Sequence, residues 1–280
     1  MSRSYDKRTT TFSPEGRLYQ VEYAMAAVDQ GGTCLGIMTK DAVILAVEKK
    51  STHKLLDDDP RLKSDKLFQI SKECVCAVAG FTADANVLIE EIRLAAERYR
   101  FQYGSSIPLE QLVIQICNKM QFYTQLGGQR PFGVSLLFAG WDNRHGFQLY
   151  KCDPSGNYGG WKGICIGNNN NTAQSILKTD WNEDLELESG TKLAFKIMNK
   201  TLDVQKLTED RFELGILKMD KENNVPKFGY MKRQEKVDRC KVLAEEVEKQ
   251  KKEAAAKLKE QQRKQKEAAE KEAAQSSSSK

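Results

Sequence analysis

A chain of 280 residues can bury a sizeable core, as one large domain or two small ones. No run approaches the roughly 18 apolar residues of a membrane span, and no apolar signal-type core follows Met1, which argues against membrane insertion and secretion. The net charge of +5 sits entirely in residues 231–280, where 15 Lys+Arg face 10 Asp+Glu; the residues before are balanced at 29 of each, which argues against a basic nucleic-acid face on the folded part.

A polar arm of about a dozen residues comes first. Ser13-Pro14-Glu15-Gly16 reads as a tight turn, with proline pre-setting φ and glycine tolerating the exit. Leu18, Val21, Met25 and Val28 then recur at helical spacing, and Gly31-Gly32 stops the helix. Thr33–Met38 and Val43–Val47 are near-continuous apolar runs, read as strands buried on both faces. Lys50–Lys66 is polar and reads as a surface loop. Leu67–Ile70 and Cys74–Ala79 make a second strand pair, Gly80 breaks the pattern, and Thr82 stands where a helix cap would. That helix runs to about Tyr103. Ile107-Pro108 opens another, with Leu109, Leu112, Val113, Ile116 and Met120 on one face, ending at Gly127-Gly128.

Strands return at Val134–Ala139, Phe147–Lys151 and Ile164–Ile166. Helices follow near Thr172–Thr179 and Ser189–Thr201, then a strand at Arg211–Met219. Strand runs alternating with helix pairs predict layered sheets with helices outside, an α/β (α+β) class whose layer order the pattern leaves open. From Met231 there are no aromatics, and Ala, Lys, Glu and Gln dominate. Glu245–Lys249, Glu248–Lys252, Glu253–Lys257 and Glu267–Lys271 sit at helix-favouring spacing, so residues 231–280 read as a solvated, partly helical tail.

The sites of ordinary chemistry are sparse. Seven cysteines, mostly inside apolar runs, read as reduced thiols of a cytosolic or nuclear protein. Cys74-Val75-Cys76 places both thiols on one strand face, and without a second Cys/His pair core packing outweighs metal binding. His53 lies beside the Asp57–Asp59 carboxylates and His145 in a turn without a visible partner; neither makes a metal site. Gly127–Gly133 lacks the lysine and Ser/Thr of a phosphate loop.

Ser13-Pro14-Glu15-Gly16-Arg17-Leu18-Tyr19-Gln20-Val21-Glu22-Tyr23-Ala24 resembles, without a break, the N-terminal signature of proteasome α-ring subunits. The resemblance continues through Gly32–Gly36, Ala83-Asp84-Ala85, Arg130-Pro131-Phe132-Gly133-Val134 and Asp153-Pro154-Ser155-Gly156, and covers about residues 1–230. The runs His53–Asp57 and Gly156–Lys162 are most like one particular member of that ring. The resemblance implies a four-layer αββα sandwich of the N-terminal nucleophile hydrolase type over 13–230, a gate arm at 1–12 and a tail at 231–280.

It also implies roles. The catalytic relatives in the family use an N-terminal threonine whose free amine serves as base. Their nucleophile position falls here on Gly32, with Thr33 one place late; the supporting aspartate falls on Glu48, the lysine on Lys66 and a serine near Asn168. A non-catalytic structural subunit is therefore expected, with no cofactor and no metal. Tyr5, Asp6, Pro14 and Tyr23 match the family's gate cluster, and Lys7 stands where its arginine would, without arginine's planar two-point contact. Lys66, with Gly80 nearby, matches a pocket that receives activator carboxylates. The implied partners are other α subunits in a seven-membered ring, β-ring subunits, regulatory particle ATPases or other activators, and polypeptide substrates in transit. No direct nucleic acid or membrane contact is expected, and the implied location is cytoplasm and nucleus. Two other readings stay open: a cryptic threonine hydrolase using Thr33, and a binding module acting through the basic tail.

Overall fold

The computed structural model describes residues 8–49, 55, 66–202, 208–220, 223 and 225–242. In chain order the elements are α1 (Tyr19–Asp29), β1 (Cys34–Met38), β2 (Ala42–Glu48), β3 (Leu67–Gln69), β4 (Cys74–Gly80), α2 (Thr82–Tyr103) and α3 (Leu109–Gln125). Then come β5 (Val134–Asp142), β6 (Gly146–Cys152), β7 (Tyr158–Gly160), β8 (Gly163–Ile166), α4 (Asn170–Asp180), α5 (Leu187–Thr201), β9 (Phe212–Asp220) and β10 (Val225–Tyr230). A further helix, α6, occupies 233–242.

Among the described residues two antiparallel five-stranded sheets form, ordered β10-β9-β2-β1-β8 and β3-β4-β5-β6-β7. Alternation along each strand decides which layer it feeds. On β4, Val75, Ala77 and Ala79 enter the core between the sheets, with Val43, Leu45, Leu137 and Ala139. Cys74, Cys76 and Val78 face the other way, onto Leu88, Ile92, Val113 and Ile116 of α2 and α3. The first sheet's outer face, through Ile37, Ile44 and Leu214, packs on Ala173, Leu177, Phe195 and Met198 of α4 and α5. The layers therefore run helices, sheet, sheet, helices: the expected αββα sandwich. Both thiols of the Cys74/Cys76 pair lie in one helix-facing core cluster, as their spacing predicts.

The pattern missed two strands for identifiable reasons. β7 is mostly glycine, and β10 carries Pro226 at the free edge of its sheet, where a missing N–H is tolerated. The start of the tail also differs from expectation. Met231 is only 8% exposed, and its amide donates to Leu214 O at 2.8 Å. On α6, Lys236 Nζ donates to Phe212 O at 3.2 Å over the Phe212 ring, and Arg233 pairs with Asp210 at 3.0 Å. Burial pushes the Lys236 ammonium below the usual lysine range. Single anchors such as Met231 are invisible to composition. The remaining tail residues, 243–280, lie outside the described residues.

This packing predicts a graded truncation series. A chain ending at Val242 should unfold at the full-length denaturant midpoint. One ending at Tyr230 should lose about 2 kcal/mol, chiefly the buried Met231 side chain. Equal midpoints for the two truncations would show that α6 adds nothing to the fold.

Candidate functional site

Five separate chain segments end at one cleft of about 540 Å³. It is lined by Ala27 in the last turn of α1 and Gln30–Gly32 just after it, Val47–Lys49 at the end of β2, Lys66 before β3, Gly80–Thr82 where β4 passes into α2, and Glu213 on β9. The segments meet because their glycines allow backbone to touch backbone. A Cβ on Gly31 would fall 2.6 Å from Gly80 N, and one on Gly80 would overlap the Gly133 carbonyl. Gly80 also has φ +117, a conformation that L side chains rarely adopt.

Lys66 is the notable charge. Its Nζ is buried and has no hydrogen-bond partner among the described residues, and it occupies the space that a side chain on Gly32 would need. The same space lies 2.9 Å from Glu48 Oε2, which accepts the Thr33 amide at 2.9 Å. A buried ammonium without a hydrogen-bond partner is costly, and the charge standing near it is the Glu48 carboxylate beside the same space. Burial pushes the neighbouring Cys34 thiol up to about 12, so it stays protonated. Thr33 is fully buried, and its hydroxyl donates to Asn168 O at 2.9 Å. The structure thus brings together Gly32, Glu48, Lys66 and Gly80, while Thr33 turns its hydroxyl to Asn168.

The wall at Gly80–Thr82 is tied from outside. Arg130 Nη1 and Nη2 donate to Asp84 Oδ2 and Oδ1 at 2.5 and 2.8 Å. Asp84 Oδ2 also accepts the Gly133 amide at 3.1 Å, and Gly133 O accepts the Phe81 amide at 2.9 Å. Burial pushes the Asp84 carboxyl up, but the Arg130 and Gly133 hydrogen bonds outweigh it and hold it below the usual carboxylate range. Asp84 sits in the first turn of α2, where a carboxylate complements the helix dipole. The expected Thr82 cap is not made: Thr82 is the first helical residue, and the cap position is Phe81, which has no capping side chain. Asp84 and Arg130 were legible as family motifs but carried no assigned role, since nothing local pairs residues 46 positions apart.

The expected gate residues divide. Tyr5, Asp6 and Lys7 lie outside the described residues. Pro14 is exposed on the Ser13–Gly16 turn, which is anchored by the buried Ser13 and closed by Gly16 N to Ser13 O at 2.8 Å and Arg17 N to Ser13 Oγ at 3.2 Å. Tyr23 is 50% exposed on α1, its ring stacked on Tyr19 at 6.3 Å. Along α1, Val21, Ala24 and Val28 are the buried positions, while Leu18 and Met25 are half-buried. His53 falls outside the described residues, and His145, expected without a partner, has Asp142: its amide and Nδ1 lie 2.6 and 3.5 Å from Asp142 Oδ1. Among the described residues, no helix is long and apolar enough to cross a membrane.

Comparison with known proteins places these observations in a family. Residues 28–217 match the family described as proteasome subunit, and residues 5–27 match the N-terminal signature of A-type proteasome subunits. The chain is 55% identical over 221 residues to the alpha type-4 proteasome subunit of Drosophila melanogaster, covering 78% of this chain and 83% of that protein. It is 55% identical over 215 residues to the alpha type-4-A proteasome subunit of Arabidopsis thaliana, covering 77% and 85%. With the alpha type-4 proteasome subunit of Dictyostelium discoideum the identity is 50% over 226 residues, covering 80% and 90%.

Proposed function

The chain belongs to the proteasome subunit family, and from that premise we propose that it is a non-catalytic, structural subunit of the outer α ring of the proteasome core particle. The similarity to alpha type-4 members of three distant organisms supports that place in the ring. It serves intracellular protein degradation, including the ubiquitin-dependent route, in cytoplasm and nucleus. It sits in a seven-membered ring of α subunits above the β ring, gates the entry of polypeptide substrates through its arm, and docks regulatory particle ATPases or other activators.

The observation that carries this reading is the buried Lys66 ammonium, unpartnered among the described residues and filling the space beside Gly32. At that position a nucleophile would need both a hydroxyl and room. Here Gly32 has no side chain, and the lysine takes the room. The same ammonium can receive the C-terminal carboxylate of an activator segment, with Gly80 also lining the cleft. The buried, hydrogen-bonded Thr33 hydroxyl speaks against the cryptic hydrolase.

Lys66→Ala tests it. Losing one charge-assisted hydrogen bond in a desolvated site should cost about 2 kcal/mol, roughly a thirtyfold weaker affinity for the activator tail. Ring assembly should persist, since no hydrogen bond of the Lys66 ammonium among the described residues is lost. Wild-type activator affinity at this cleft would refute the role.

A further inference from the structure

Arg130 is exposed and stands outside the lining of the Lys66 cleft, yet its hydrogen bonds lead to one wall of it. Gly80 and Phe81 join a strand to a helix, and the glycine by itself fixes little, having more backbone freedom than any other residue. The joint is instead held through Gly133. Its carbonyl takes the Phe81 amide at 2.9 Å and presses against Gly80, while its own amide is held by Asp84 at 3.1 Å. Asp84 is in turn fixed by both guanidinium arms of Arg130, which also donates to Pro131 O at 3.1 Å. The guanidinium carbon lies 5.8 Å from the centre of the Phe81 ring.

We propose that Arg130 is a positioning residue for the cleft: through Asp84 and Gly133 it sets the Gly80–Thr82 wall along which a bound peptide lies, while touching no ligand atom itself. This rests on the reading that Lys66 receives a carboxylate. The two claims concern different parts of the ligand. Lys66 acts on the terminal carboxylate, whereas the wall acts on the residues before it.

The assembled particle carrying the variant chain is titrated with a short peptide bearing a photocrosslinker and a free C-terminal carboxylate, and with the same peptide as its C-terminal amide. Crosslinks to this chain report both affinities. Arg130→Ala should weaken both peptides about tenfold and leave the carboxylate-over-amide ratio unchanged. Arg130→Lys, which keeps one of the two contacts, should fall between. Lys66→Ala should instead collapse the ratio. A ratio of one in the wild type defeats the Lys66 reading, but the wall is still tested by absolute affinity. If Arg130→Ala fails to enter particles, Arg130→Lys decides, and wild-type affinity there overturns the proposal. A role confined to stability would lower the melting temperature with both affinities unchanged, which also overturns it.

Discussion

Gly80→Ala should destabilise the fold by about 3 to 5 kcal/mol, the upper end of what one methyl group can do. Two costs combine. At φ +117 an L side chain is strained, on the order of 1–3 kcal/mol. The added Cβ would also overlap the Gly133 carbonyl and lie 3.1 Å from Val134 Cα, both backbone atoms with no freedom to swing away. Gly133 cannot retreat cheaply, because its amide is bonded to Asp84 and its carbonyl to Phe81. Relief at residue 80 therefore disturbs the cleft wall and the β4–β5 register, in which Gly80 faces Val134. Gly229→Ala is the control, since a Cβ there meets nothing within 4 Å; it should stay within about 0.5 kcal/mol of wild type. Denaturant midpoints of the full chain measure both. A loss below about 1 kcal/mol for Gly80→Ala would mean that the joint yields, and the rigid wall would have to be given up.

Deleting Ser2–Thr10 should raise basal hydrolysis of short peptides by the assembled particle about tenfold without activator, as expected when a closed state favoured by about 1.4 kcal/mol is removed. The motivation is how lightly the base of the arm is held. Thr9, Thr10 and Phe12 meet Leu18, Val21, Gln121, Thr124 and Gln125 around a cavity of about 470 Å³. Phe12 remains 64% exposed, and the Thr9 hydroxyl lies a long 3.4 Å from Leu126 O. Such light contacts among the described residues of the arm leave room for neighbouring arms to set the conformation and for one activator's binding energy to change it. Chemistry in the β ring should be untouched, so inhibitor reactivity of the deleted particle should match that of an activator-opened one. Tyr5→Ala at full length separates a locking contact from bulk obstruction. Basal hydrolysis at the wild-type level would show that this arm is no part of the barrier.

The split between what could be read early and what could not follows the range of the forces. Periodicity and turn chemistry act over a few residues. They sufficed for the Ser13–Gly16 turn, the helices from Thr82 and Leu109, the buried β2 run and the common face of Cys74 and Cys76. The expectation that Gly32 stands at a nucleophile position, the grouping of Lys66 with Gly80 and the layer order came from resemblance to a family, since spacing alone left each undecided. Some signals were weak because their physics is positional. Pro226 is acceptable only because β10 lies at an edge, and Met231 matters only because a seat beside Leu214 exists for it. Tertiary structure alone decided the rest. It buried the Lys66 ammonium with no partner among the described residues, brought Gly31 against Gly80, and joined Arg130 to Asp84 across 46 residues. Those contacts depend on which chain segments the two sheets bring to one end of the sandwich, and a pattern with a reach of a few residues carries no information about that meeting.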